Sequence, residues 1–257
     1  MDDYPELFNR VIKRMDSRKF DNSGNPVKKE GFKSEIAGLI DHTLLKPEAT
    51  PEEIAELCRQ GDEFGFASIC VNSGWISLCQ QLKTNPAVKI CGISGFPLGA
   101  NSARAKAAEA ASCVEDGAIE VDMVMNIGQA KSGNWDYVVR DISEVVKTVA
   151  NAAIIKVIIE CCLLTDEEKV KACICAREAG AAFVKTSTGF NKWGAKAPDV
   201  ALMRRVVGDK MGIKAAGGIR TLSELREIVE AGADRIGTST GVAIIHEEME
   251  EKLHPLP

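Results

Sequence analysis

The sequence predicts an α/β chain closed into a (β/α)8 TIM barrel with an N-terminal helical extension. Three observations carry that reading. Eight short β-branched runs alternate with amphipathic helix-like stretches and recur about every 25 to 30 residues, the rhythm of strand–helix units in a parallel sheet. The runs are almost continuously apolar, as strands must be when helices cover their outer face. Polar residues gather at the ends of these runs, where a barrel places its chemistry. An open doubly wound sheet is the alternative.

Residues 1–33 read as a charged, helix-prone arm ending in DNSGNPVKKEG, a linker or capping extension, and residues 34–257 read as the barrel. Strands are expected at EIAGLIDHT (35–43), FASICVN (66–72), VKICGISGF (88–96), AIEVDMVMN (118–126), AIIKVIIE (153–160), AFVKTSTG (182–189), GIKAAGG (212–218) and RIGTSTG (235–241). Thr50 before Pro51 is an N-cap followed by proline at the first helical position. Thr165 before DEE and Thr221 before LSE open the next clear helices, with capping-box spacing. Gly61, Gly117, Gly180 and Gly232 are read as the glycines that close helices.

Composition excludes several classes of function. With 45% apolar and 27% charged residues the chain is an ordinary globular one, neither disordered nor fibrous. A net charge of −5 and three scattered histidines leave no basic footprint for nucleic acid. No apolar run reaches about 18 residues, so no membrane partner is expected, and MDDYPELFNRVIKRMDSRKF lacks the apolar core of a secretory signal. The nine cysteines, an odd number without a CxxC, read as reduced thiols of a cytoplasmic protein. Neither GxGxxG nor GxxxxGK[ST] occurs; no cofactor and no metal are expected.

The informative residues lie at the strand ends. A lysine inside a buried strand is costly unless paired or neutralised, and Lys185 and Lys214 occupy consecutive strands. In a barrel they converge on one cavity, where two close ammonium groups lower at least one pKa. A neutral amine near pH 7 attacks a carbonyl to form a Schiff base. Asp122, among apolar neighbours on the fourth strand, can pair with either lysine and relay protons through water. Lys156 and Glu160, four apart on one strand, point to the same side and are expected to support the site from behind. Glycines and hydroxyls cluster after strands six, seven and eight: Gly189, Gly217, Gly218, and Gly237 to Gly241 with Ser239. Such βα loops bind phosphate through backbone N–H groups and a helix N-terminus.

Two other motifs fail on inspection. GTSTG at 237–241 fits the nucleophile-elbow pattern, but no Asp follows Asp234 to complete a triad with His246 or His254. HEEME at 246–250 places Glu250 where H-E-x-x-H needs its second histidine.

IDHTLLKPEAT (40–50), GFPLGA (95–100), EVDMVMNIG (120–128), KVIIE (156–160), VKTSTGF (184–190), KAAGGIRT (214–221) and RIGTSTG (235–241) together resemble, in order, the hallmark segments of the deoxyribose-phosphate aldolases of short bacterial type. The resemblance spans about residues 35 to 245. It implies a metal-free class I aldolase that reversibly cleaves 2-deoxy-D-ribose 5-phosphate to D-glyceraldehyde 3-phosphate and acetaldehyde, in deoxyribose phosphate catabolism. Carried over, Lys185 is the Schiff-base nucleophile, Lys214 perturbs its pKa and Asp122 handles protons. The phosphate falls to Gly189, Gly217, Gly218, Gly237 and Ser239, with Thr186 of the same VKTSTGF segment. Asp41 of IDHT and Cys70 of SICVN match positions lining the substrate pocket. The implied partners are a sugar phosphate, an aldehyde and further copies of the chain, as a dimer or tetramer. Some relatives end on a tyrosine that assists proton transfer, whereas this sequence ends KLHPLP and has tyrosines only at 4 and 137. Either water and Asp122 suffice, or enamine protonation is slower. A lysine aldolase for another sugar phosphate, and a non-catalytic sugar-phosphate sensor, are the competing readings.

Overall fold

The computed structural model describes residues 34–254; the arm expected over 1–33 lies outside the described residues. Eight parallel strands close in chain order, and the last pairs back with the first. They are β1 Ile40–Leu44, β2 Ser68–Val71, β3 Lys89–Ser94, β4 Glu120–Val124, β5 Ile154–Ile158, β6 Phe183–Lys185, β7 Gly212–Ala216 and β8 Arg235–Thr238. The helices are α1 Pro51–Phe64, α2 Ile76–Leu82, α3 Ala103–Glu115, α4 Ile127–Lys131, α5 Trp135–Thr148, α6 Asp166–Glu178, α7 Ala197–Val207, α8 Leu222–Glu230 and α9 Gly241–Leu253. The barrel is therefore closed, and the open-sheet alternative falls.

All eight expected strands are present but shorter than their apolar runs. Residues 35–39 do not join β1, because Ala37–Leu39 forms a 3-10 turn before it. The sixth ends at Lys185, and beyond it side-chain hydroxyls add to backbone bonds such as that from the Thr186 N–H to the Lys214 carbonyl at 3.0 Å. The Thr186 hydroxyl accepts from the Ala216 N–H at 3.2 Å, and the Thr188 hydroxyl donates to Glu160 at 2.5 Å.

Helix starts follow their chemistry. Thr50, Thr165 and Thr221 each complete a capping box with Glu53, Glu168 and Glu224. Gly117, Gly180 and Gly232 follow helix ends with φ of 112°, 83° and 114°. Gly61 does not: α1 continues to Phe64, and Gly65 closes it at φ 66°. A Cβ on Gly61 would lie 2.9 Å from Ile69 Cγ1, so this glycine lets α1 settle against β2.

Alternation along each strand divides the core in two. Outward residues such as Ile69, Val121, Val157, Val184, Ile213 and Ile236 are fully buried beneath the helices. Inside the barrel, Leu45, Cys70, Cys91 and Ile93 form a separate apolar cluster against Phe96, while strands β4 to β8 contribute mostly charge. The nine cysteines are all buried free thiols. No helix among the described residues is long and apolar enough to cross a membrane.

Candidate active site

Lys185 and Lys214 stand side by side, as their consecutive strands require. They are register partners between β6 and β7, and parallel pairing turns both side chains into the barrel. Asp122 on β4 receives both at one oxygen: Lys185 Nζ donates to Oδ2 at 2.8 Å and Lys214 Nζ at 2.6 Å. Lys156, the register partner of Asp122 on β5, donates to Oδ1 at 2.9 Å. Lys156 thus joins the ion cluster through Asp122. Asp41 on β1 meets Lys214 at 2.5 Å and Lys156 at 3.6 Å.

The cluster extends to two residues that the sequence reading passed over. Glu120 contacts Lys156 at 2.6 Å and Arg235 at 3.0 Å, and Arg235 donates to Asp41 at 2.6 Å. Strand parity marks Glu120, which precedes Asp122 by two residues and therefore shares its face. Four buried cations (Lys156, Lys185, Lys214 and Arg235) meet three carboxylates (Asp41, Glu120 and Asp122). Asp41, Cys91 and Glu120 converge closely enough to share a cation, and the Lys156 ammonium contacts all three.

Burial pushes buried carboxyls up and ammoniums down; close opposite charges do the reverse. At Asp122 burial is outweighed by Lys156, Lys185 and Lys214, which hold the carboxyl well below the usual range. Lys214, Lys156 and Arg235 do the same at Asp41. In return, Asp122 and Asp41 overcome burial at Lys214 and keep its ammonium above the ordinary lysine range. The expected depression by a neighbouring ammonium is therefore reversed at Lys214, because carboxylates interleave with the lysines.

A cleft of about 250 Å³ opens where the strands end, lined by Lys185, Thr188, Gly189, Gly217, Gly218, Gly237 and Ser239 among others. Lys185 is the one cluster residue on its wall. Gly189, Gly217 and Gly218 have φ of 85°, 86° and 82°, a region that favours glycine. The Ala195 N–H reaches the Gly217 carbonyl at 3.0 Å, so the loop after β6 lies backbone-on-backbone against the loop after β7. Gly237 has a further duty, since a Cβ there would sit 3.1 Å from Lys214 Cε. Ser239 is exposed just before the N-terminus of α9.

Several expected residues are not on the cleft wall. Thr186 is fully buried, with its hydroxyl committed to the β7 backbone. Asp41 lies behind Lys214, and Cys70 lies in the apolar half of the interior. Asp122 and Lys214 reach the cleft only through Lys185. Glu160 does not face Lys156: β5 has ended at Ile158, and Glu160 adopts φ 55°. Its buried carboxylate accepts the Thr188 N–H at 3.2 Å and the Thr188 hydroxyl at 2.5 Å, fixing the loop that carries Gly189. Conversely, Lys46, Phe190 and Arg220 line the cleft without having been singled out; all lie in loops that follow strands.

A lysine on the wall of a cleft at the C-terminal mouth of a (β/α)8 barrel, backed by an ion cluster and facing glycine loops, lies where enzymes of this fold carry their chemistry. Residues 35–247 match the model of the DeoC/LacD family aldolases, and the chain belongs to that family. It is 52% identical over 223 residues to the deoxyribose-phosphate aldolase of Caldanaerobacter subterraneus subsp. tengcongensis, covering 86% of this chain and 96% of that one. Among solved structures, the aldolase QR15 superposes with a TM-score of 0.82 at 38% identity, covering 86% of this chain and 99% of that one. A tetrameric deoxyribose phosphate aldolase from Aeropyrum pernix gives 0.76 at 30% identity, covering 99% and 100%.

Proposed function

We propose that this aldolase reversibly cleaves 2-deoxy-D-ribose 5-phosphate to D-glyceraldehyde 3-phosphate and acetaldehyde through an imine on Lys185. The observation that carries this reading is the placement of Lys185: it is the cluster amine that meets the cleft, held 2.8 Å from Asp122. The names of the relatives support the substrate, and the tetramer from Aeropyrum pernix supports a homo-oligomer.

In this mechanism the phosphate rests on the N–H groups of Gly189, Gly217 and Gly218 and on Ser239, near the α9 N-terminus. Gly237 lines the same wall and also gives Lys214 its room. Lys46 and Arg220 add positive charge at the mouth for a dianion. The cluster holds one cation more than its carboxylates balance, so release of one proton neutralises it. Neutral Lys185 then adds to the C1 aldehyde. The carbinolamine hydroxyl leaves as water with a proton supplied by Lys214, giving a cationic imine. Asp122, through water, takes the C3 hydroxyl proton. The C3–O pair becomes the new carbonyl, the C2–C3 bond breaks, and its electrons neutralise the iminium nitrogen as an enamine. Protonation at C2 and addition of water release acetaldehyde and restore the amine.

Borohydride trapping with acetaldehyde, read by peptide mass spectrometry, tests the proposal. An ethyl adduct concentrated on Lys185 and blocked by deoxyribose 5-phosphate is expected. Labelling spread over surface lysines without protection would replace the enzyme reading with a sugar-phosphate-binding barrel. The Glu160 contact yields a second expectation. Glu160→Ala releases Thr188 and should raise KM for the phosphorylated sugar about tenfold while kcat changes little. Steady-state kinetics on phosphorylated and phosphate-free substrates checks it; equal losses on both would sever Glu160 from phosphate binding.

A further inference from the structure

The ion cluster continues deeper than the proposed chemistry needs. Glu120 and Arg235 line no part of the cleft and have no contact with Lys185, yet they are only 1% and 8% exposed. Desolvating such a pair is costly, and the apolar half of the same interior shows that uncharged side chains fill this space too. Their connections lead to the reacting amine by two routes. Lys156 bridges Glu120 at 2.6 Å to Asp122 at 2.9 Å. Asp41 bridges Arg235 at 2.6 Å to Lys214 at 2.5 Å, and Lys214 shares Asp122 Oδ2 with Lys185.

We infer that Glu120 and Arg235 are positioning residues that set the charge balance of the cluster, and through it the pH at which Lys185 forms its imine. This rests on the imine reading of Lys185. The surroundings contain the charges that matter. Lys185 faces Asp122 of β4 and Lys214 of β7, with the Cys70 thiol of β2 near enough to interact. Glu120 faces Lys89 and Cys91 of β3, Lys156 of β5, Arg235 of β8 and Asp41 of β1. Lys89 is 42% exposed, so water screens it. Arg235 faces Asp41, Glu120 and the Phe183 ring of β6.

The two residues carry opposite charge, and this gives the inference its signature. Removing the Glu120 charge leaves the cluster with a larger cationic excess, so a proton leaves at lower pH. Removing the Arg235 charge balances the cluster, so protons are held to higher pH. A unit charge acting across roughly two strand spacings, about 10 Å, at an effective dielectric near 20 moves such a limb by about one pH unit.

The test is the pH dependence of borohydride trapping on Lys185 with acetaldehyde. Relative to the parent, the acid limb should move down by about one unit in Glu120→Gln and up by a similar amount in Arg235→Met. The double variant, which restores the charge difference, should return close to the parental limb. Arg235→Lys should keep that limb as well, and Arg235→Gln repeats the charge change if the methionine variant does not fold. Shifts of the same sign in both single variants, or limbs that coincide with the parent, would overturn the inference while leaving the imine intact. Absence of any Lys185 adduct in the parent would instead overturn the imine reading, and the inference with it.

Discussion

Lys185→Met is expected to lose about 10⁴-fold or more in cleavage rate, and all adduct trapped by borohydride, while keeping the fold. No other amine of the ion cluster can stand in. Lys156 and Lys214 are fully buried and lie off the cleft wall. Methionine fills much of the same volume, and Asp122 keeps Lys214 at 2.6 Å and Lys156 at 2.9 Å. The variant also removes the excess cation, leaving Lys156, Lys214 and Arg235 against Asp41, Glu120 and Asp122. Its melting temperature should therefore stay close to that of the parent, since Asp122 keeps two ammonium partners and no buried carboxylate is left unpaired. Loss of activity with a melting temperature close to the parent's separates a reacting group from a structural one. Retention of a tenth of the activity would move the imine to another lysine.

The barrel was legible because both faces of a parallel strand are buried, so each run announces itself as an apolar block between capped helices. Lys185, Lys214 and Asp122 were legible for the opposite reason, as charges where burial forbids them without partners. Strand parity is a sharper guide to the cleft than nearness to a strand end or membership of a motif. Thr186 follows Lys185 by one residue, and its hydroxyl joins the β7 backbone instead of the cleft. Parity would also have found Glu120, which reads as a solvated strand start when taken alone. Glu160 was beyond reach by this route. Its separation from Lys156 follows from a left-handed backbone after β5, a conformation that the residue type does not advertise. Gly61 misled because a helix-closing glycine and one admitting a neighbouring side chain look the same in sequence. Only the 2.9 Å approach of Ile69 Cγ1 distinguishes them.

Asp122→Asn should damage stability and activity together, and pH separates the two effects. One carboxylate here serves three ammonium groups at 2.6 to 2.9 Å. Asparagine keeps one acceptor, turns an N–H₂ toward cations and leaves the cluster with two carboxylates against four cations. Breaking a buried ion pair of this kind costs about 3 to 5 kcal/mol. Lys156 retains Glu120 and Lys214 retains Asp41, whereas Lys185 loses the carboxylate that aims it. Cleavage should fall by about 10³-fold through lost aim and lost proton transfer. The native Asp122 carboxyl is held well below its ordinary value by Lys156, Lys185 and Lys214, against the opposing effect of burial. Its stabilising contribution is therefore complete above the unfolded value of about 3.9 and is lost only as pH falls below it. The gap in melting temperature between parent and variant should stay level from about pH 5 to pH 8, then narrow below about pH 4. A gap that closes as pH rises from 5 to 8 would mean that Asp122 is not the ionised anchor of the three lysines.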